Sequence, residues 1–144
     1  MTSSSLYVVD TDVISETTKP APRSAVTKWL ADQAGILLSA VTVYELGRGI
    51  ERVHAGKKRQ WLESWLVALL DAAVEVVPFG ADEAFAAAQL ESDARRKGRS
   101  IDTRDLFILA SAKARHAPLA TRNVPHFRGF GVEVLDPFTG DASR

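Results

Sequence analysis

The sequence predicts an α/β fold, a mainly parallel central sheet of four to five strands with helices on both faces. Three observations carry that expectation. Five short, β-prone apolar runs are spread along the 144 residues, stretches of helical periodicity lie between them, and the runs are too uniformly apolar to have a solvated face. Parallel strands need crossover connections, and those connections pack onto the sheet and cover both of its faces.

In chain order, residues 6–9 (Leu-Tyr-Val-Val) form the first strand, and residues 25–32 a helix. Residues 36–38 are the second strand, and residues 41–53 a helix whose Val43, Leu46, Ile50 and Val53 make an apolar stripe. Residues 57–72 read as helix, with Trp61 and Trp65 at i, i+4 beside Leu62, Leu66 and Leu69. That pattern points to core or a protein interface before a base-stacking platform. Residues 74–77 are the third strand, residues 82–97 and 104–115 the next helices, and residues 119–120 and 132–135 the last strands. The run Leu106-Phe107-Ile108-Leu109-Ala110 is apolar all round, so its helix is expected to be buried. Residues 1–136 read as one domain and residues 137–144, which contain Pro, Gly and Ser, as a fraying tail.

Composition narrows the function classes. Lys plus Arg (18) balance Asp plus Glu (18), and 46% of residues are hydrophobic, which describes a globular domain able to build its own core. There are no cysteines, so thiolate zinc sites, haem attachment and thiol nucleophiles are excluded, and a reducing cytoplasm suits the chain. Met-Thr-Ser-Ser-Ser at the start has neither the basic stretch nor the apolar run of a signal peptide, and no apolar segment approaches the ~18 residues of a membrane span. No membrane association is therefore expected.

In a parallel α/β sheet ligands bind beyond the carboxyl ends of the strands, so chemistry is sought there. The first strand runs into Asp10-Thr11-Asp12, two carboxylates flanking a small hydroxyl residue. Asp and Thr also cap helices, and that reading stays open, more for Asp12 than for Asp10. Glu45 follows the second strand and lies beside the apolar stripe of its helix, or else closes a capping box with Thr42. Asp102 and Asp105 open the buried helix; Asp102 suits the N-cap, while a carboxylate such as Asp105 at the edge of a core is costly unless paired or metal-bound. Thr121-Arg122-Asn123 after the fourth strand could orient water or contact phosphate, or could be a solvated turn.

Asp10, Glu45 and Asp105 follow different elements on one predicted sheet edge, which is how a hard cation such as Mg²⁺ is held by a few oxygen ligands and waters. A metal-dependent hydrolase acting on phosphodiesters follows from that set. His54, His116 and His126 lack metal-ligand spacing and read as surface or turn residues. Two basic clusters, Arg48, Arg52, Lys57, Lys58 and Arg59, then Arg95, Arg96, Lys97, Arg99 and Arg104, could track a phosphate backbone or simply face solvent.

The motifs Val8-Val9-Asp10-Thr11-Asp12-Val13-Ile14-Ser15, Ser39-Ala40-Val41-Thr42-Val43-Tyr44-Glu45-Leu46, Asp105-Leu106-Phe107-Ile108-Leu109-Ala110-Ser111-Ala112 and Leu119-Ala120-Thr121-Arg122-Asn123 together resemble PIN-domain proteins, in particular VapC-type toxins of type II toxin–antitoxin systems. The resemblance spans nearly the whole chain. It implies a Rossmann-like three-layer α/β/α sandwich and an RNA-cleaving activity dependent on Mg²⁺ or Mn²⁺. Asp10, Glu45 and Asp105 would be the metal-holding acids, Asn123 a further catalytic residue, and Thr11, Asp12, Thr121 and Arg122 substrate contacts. It also implies a homodimer, a cognate VapB-type antitoxin, and translation arrest through cleavage of transfer or ribosomal RNA. Two positions depart from the pattern. Relatives often have Asn in place of Asp12, and a fourth acidic residue where this chain has His126.

Two other classes compete. Asp10-Thr11-Asp12 also looks like the nucleophile motif of haloacid dehalogenase-type phosphatases, with Asp12 as acid/base and Ser39 binding phosphate, although the chain has no room for a cap domain and Glu45 would have no role. A non-catalytic, receiver-like Mg²⁺-binding module needs a phosphorylatable Asp ending a middle strand, and residues 74–77 run into Pro78-Phe79-Gly80 instead.

Overall fold

A computed structural model describes residues 5–143. The chain forms β1 (Tyr7–Val9), α1 (Thr11–Glu16), α2 (Ser24–Ala31), β2 (Ile36–Ser39), α3 (Ala40–Glu51), α4 (Lys57–Ala72), β3 (Glu75–Val77), α5 (Ala81–Arg96), α6 (Thr103–Ala114), β4 (Leu119–Ala120), α7 (Val124–Phe127), β5 (Val134–Leu135) and β6 (Ala142–Ser143). The sheet order is β3-β2-β1-β4-β5-β6, parallel throughout except for the antiparallel β5–β6 pair.

Side-chain alternation along each strand sends neighbours to opposite faces and divides the core in two. Val8 and Leu37 join Leu90, Leu106 and Leu109 under α5 and α6; Val9 and Leu38 join Val13, Val26 and Leu46 on the other side, where Trp65, Leu66 and Leu69 of α4 close over them. The result is the expected three-layer sandwich. Leu38 and Leu109 are fully buried, and each contributes roughly 1.5–3 kcal/mol through the apolar surface it removes from water.

The strand count is corrected, and two further expectations are refined. The sheet has six strands rather than four to five, because β6 supplies an extra edge strand. The segment expected to fray carries that strand, and Phe138 within it packs into the core beside Val13 and Ala120. Trp61 is 53% exposed and is not core, whereas Trp65, one turn later, packs inward.

The topology positions the site. From β1 the chain moves to β2 and β3 on one side, then crosses back to β4 on the other, so the direction of winding reverses between β1 and β4. The two strands stay paired to their carboxyl ends, and the connections that leave them there diverge, which is where such a sheet opens a crevice.

Candidate active site

Asp10 leaves β1 at the crevice. It is 7% exposed and caps α1, accepting from the Thr11 N–H at 2.8 Å through Oδ1 and from the Thr121 hydroxyl at 2.8 Å through Oδ2. Thr121 directly follows β4, so this bond ties the ends of the two strands across the switch point. Burial pushes the Asp10 carboxyl up to about 7; the charge of Asp12 and, more weakly, of Asp105 push the same way, against the two hydrogen bonds. The cap thus belongs to Asp10, not to Asp12. Asp12 stands at the open rim, raised chiefly by lost hydration, with Asp136 adding to the shift and Arg122 opposing it.

Glu45 is not part of a capping box. Helix α3 starts at Ala40, two residues before Thr42, with Ser39 as N-cap accepting from the Val41 N–H at 3.1 Å. The Glu45 carboxylate instead faces α1, where its Oε1 accepts from the Thr11 hydroxyl at 2.6 Å. A threonine hydroxyl has one proton to give, so at the 3.1 Å contact between Thr11 and Thr42 it is Thr42 that donates. Nη1 of Arg104 approaches the other Glu45 oxygen at 4.0 Å.

Asp105 lies in the first turn of α6, which Asp102 caps by accepting from the Arg104 N–H at 3.0 Å. Loss of water raises the Asp105 carboxyl; His126 opposes this, while Asp102 and Glu45 add to it. Nε2 of His126 sits 3.3 Å from Asp105 Oδ2 but off the direction of a good hydrogen bond, which leaves this buried nitrogen without a partner of proper geometry. His126 is half-buried in the short α7 turn, while His54 and His116 are exposed.

Asn123 is exposed beside the crevice, with its N–H donating to Thr121 Oγ1 at 3.2 Å. The Arg122 guanidinium lies 4.4 Å from the ring centroid of Phe138. Thr121 is fully buried and spends its hydroxyl on Asp10, so it positions that carboxylate and does not face substrate. Within the second basic cluster, Arg96 and Lys97 pair with Asp93, and Arg99 bonds backbone carbonyls, so the cluster is largely tied to the protein itself. In the first, Arg59 pairs with Glu51 while Arg48, Arg52, Lys57 and Lys58 stay exposed.

Among the described residues no three His, Asp or Glu side chains stand close enough to ligate one ion together in this arrangement. Their electrostatics nevertheless fit a divalent cation. Burial raises both Asp10 and Asp105, neighbouring acids raise them further (Asp12 and Asp105 at Asp10, Asp102 and Glu45 at Asp105), and a hard cation would relieve that repulsion.

A family profile described as PIN domain matches residues 7–127. The chain belongs to the PIN-domain family. This PIN domain is 35% identical over 137 residues to VapC ribonuclease Y4jK of Sinorhizobium fredii, covering 92% of this chain and 98% of that protein. It is 34% identical over 139 residues to Toxin FitB of Neisseria gonorrhoeae, covering 92% and 99%. The crystal structure of FitAcB from Neisseria gonorrhoeae superposes with a TM-score of 0.87 at 33% identity over 93% of this chain and 99% of that one. Every candidate site residue of this PIN domain falls inside the matched span, whereas Phe138 and β6 lie beyond it. Sequence reasoning missed Thr42, Arg104 as a neighbour of Glu45, and Phe138 under Arg122; only Arg104, adjacent to Asp105, carried a signal that could have found it.

Proposed function

We propose that this PIN domain is the toxin of a VapBC-type toxin–antitoxin pair, a ribonuclease that uses Mg²⁺ or Mn²⁺ to cut transfer or ribosomal RNA in the cytoplasm and so arrest translation. The observation that carries the reading is that Asp105 interacts electrostatically with both Asp10 and Glu45, with Asp10 and Asp105 raised first by burial and then by neighbouring acids. Those three residues would hold the ion, which when bound supplies a water of lowered pKa and neutralises charge on the phosphodiester. The protein's own part is orientation. Thr11 and Thr121 fix the Glu45 and Asp10 carboxylates, Asn123 directs water at the crevice mouth, and Arg122, seated on Phe138, meets a phosphate. Asp12 at the rim contacts substrate, and exposed Arg48, Arg52, Lys57 and Lys58 supply positive charge for the RNA backbone.

The partner would be a VapB-type antitoxin. An apolar groove lined by Leu46, Ile50, Leu62 and Trp65 opens at Thr11 and Glu45, so an antitoxin segment lying in it would cover the site. For the homodimer, Val76, Phe79 and Phe85 follow one another along β3, its exit loop and α5 with 36%, 38% and 72% exposure, an apolar surface suited to a second copy. The phosphatase reading loses its phosphate-binding residue. Ser39 is buried, with its hydroxyl against Ser111 and the Val41 N–H. Nor does β3 end in a carboxylate for a receiver-like module.

The test is incubation of purified protein with total transfer and ribosomal RNA and Mg²⁺ or Mn²⁺, beside an EDTA control and Asp10→Asn. Discrete cuts that vanish in both controls are expected. RNA left intact with either metal would refute the nuclease reading.

A further inference from the structure

Helix α7 presents His126 to Asp105, and a four-residue helix does not hold itself. One turn lacks the repeated hydrogen bonds that make a helix cooperative, and its last carbonyls have no intrahelical donor. Here the donors come from Arg99. Its guanidinium donates to the carbonyls of Arg128 at 2.6 Å, His126 at 2.7 Å and Pro125 at 3.3 Å. The same guanidinium lies 4.4 Å from the ring centroid of buried Phe130, and Lys97 adds a bond to the Gly129 carbonyl.

Arg99 is launched from a rigid base. Gly98, at φ +65°, ends α5 in a left-handed turn that a side chain would strain. The Arg99 N–H returns to the Ala94 carbonyl at 2.8 Å and the Gly98 N–H to Arg95 at 3.1 Å, the two bonds of a Schellman closure.

We propose that Arg99 is a positioning residue for the candidate site, fixing the α7 turn from behind so that the His126 imidazole stands against Asp105, within 3.3 Å of Oδ2, and bounds the space its carboxylate occupies. The contacts run from guanidinium to the α7 carbonyls, along the backbone to the His126 ring, which packs edge-on to Phe127 at 5.0 Å, and from Nε2 to Asp105 Oδ2 at 3.3 Å. Lysine is no substitute, because a point ammonium does not reach three carbonyls while lying flat on an aromatic ring. The assignment rests on the reading of Asp105 as a metal-holding acid.

The experiment compares wild type with Arg99→Lys, Arg99→Ala, His126→Ala and the Arg99→Ala/His126→Ala double variant. It reads Mn²⁺ affinity by calorimetry and, on metal-free protein, the NMR signals of the His126 imidazole. Both Arg99 variants are expected to move those signals and to weaken Mn²⁺ binding about 10-fold, the lower end of the loss for residues that support a metal ligand. His126→Ala should weaken binding similarly, and the double variant should be no weaker than His126→Ala alone. Unmoved His126 signals in Arg99→Ala, or losses that multiply in the double variant, would overturn the proposal and leave Arg99 a purely structural clamp. A wild-type protein that takes up no Mn²⁺, while Arg99→Ala still moves His126, would instead overturn the metal reading and the link to it.

Discussion

The two ends of α6 carry the same kinds of side chain in opposite electrical states. At its amino end Asp105 shares the crevice with Glu45 and Asp10, and the carboxyls of Asp10 and Asp105 are raised. At its carboxyl end, ~15 Å away at 1.5 Å per residue, Arg115 donates to Glu75 at 2.8 and 3.0 Å and to Glu83 at 2.9 Å. There the hydrogen bonds from Arg115 hold Glu75 below the usual range; Glu83 is buried at a cost, but the Gly80 N–H and Arg115 outweigh it and lower that carboxyl too. The helix dipole favours both arrangements, acids at its start and a cation at its end. What separates them is closure. Around Arg115 each carboxylate has a guanidinium partner, whereas the Asp10–Asp105 region gathers acids whose charge a proton or a bound cation must relieve. A buried, uncompensated set of acids is the mark of a site; a compensated one is the mark of scaffolding.

The largest effect should come from the open end. Asp10→Asn and Asp105→Asn are each expected to lower RNA cleavage roughly 100-fold or more, the scale of losing one preorganised electrostatic contact, while the circular dichroism spectrum stays wild type. Cleavage at the wild-type rate in either variant would erase the distinction drawn between the two ends. Arg115→Ala should do the reverse. It leaves Glu83, 3% exposed, without its cation, and urea unfolding should report a loss of about 2–3 kcal/mol, below the value for fully buried pairs because Arg115 is partly solvated. Activity per folded molecule should not change, and a drop in that ratio would mean that the two ends are coupled.

Acidity sharpens the contrast further. The raised Asp10 keeps its proton in the native state while the unfolded chain loses it near pH 3.9, so this residue's stability contribution is full below that pH and is lost as pH rises through about 7. In metal-free protein, Asp10→Asn should therefore melt higher than wild type at pH 8, by a margin that shrinks towards pH 4. Glu75, whose carboxyl is lowered, has the opposite sign: its contribution is present above the unfolded value and is lost as pH falls below it. Glu75→Gln should thus destabilise at pH 7 and lose its effect near pH 3. Equal melting shifts at all pH values would show that neither carboxyl is perturbed by folding.

The smallest expected effect separates two tryptophans on one helix. Trp65→Ala should cost about 3 kcal/mol as a large-to-small change against the core, whereas Trp61→Ala, at a position 53% exposed, should cost under ~1 kcal/mol. Comparable losses by calorimetric melting would place Trp61 in an interface formed in solution.

Long elements were plain in the amino-acid order and short ones were not. Residues 57–72 coincide with α4 because sixteen residues bounded by Gly56 display several turns of period, while α1 with six residues and α7 with four give less than two turns each. β6 has two residues and exists only because Asp136, accepting from the Phe138 N–H at 2.7 Å, turns the chain back along β5. In the site, Asp10, Glu45 and Asn123 could be named from their positions after strands, and Asp105 from its place at the start of an all-apolar helix. The choice between cap and site for Glu45 could not be made, since Ser39 and Thr42 are both good caps and spacing is the same for either.

The order of residues by itself determined the alternation of strands and helices, the two-sided core and the acids that end up beyond the strands, because each follows from local periodicity and from where apolar runs stop. Tertiary structure alone decided which of those acids feel one another. Asp10 meets Thr121 across 111 positions, and Arg99 meets the turn that carries His126 across 27. The reason is physical: burial and Coulomb interaction depend on distance in space, which a chain that crosses back at its switch point leaves unrelated to distance in sequence.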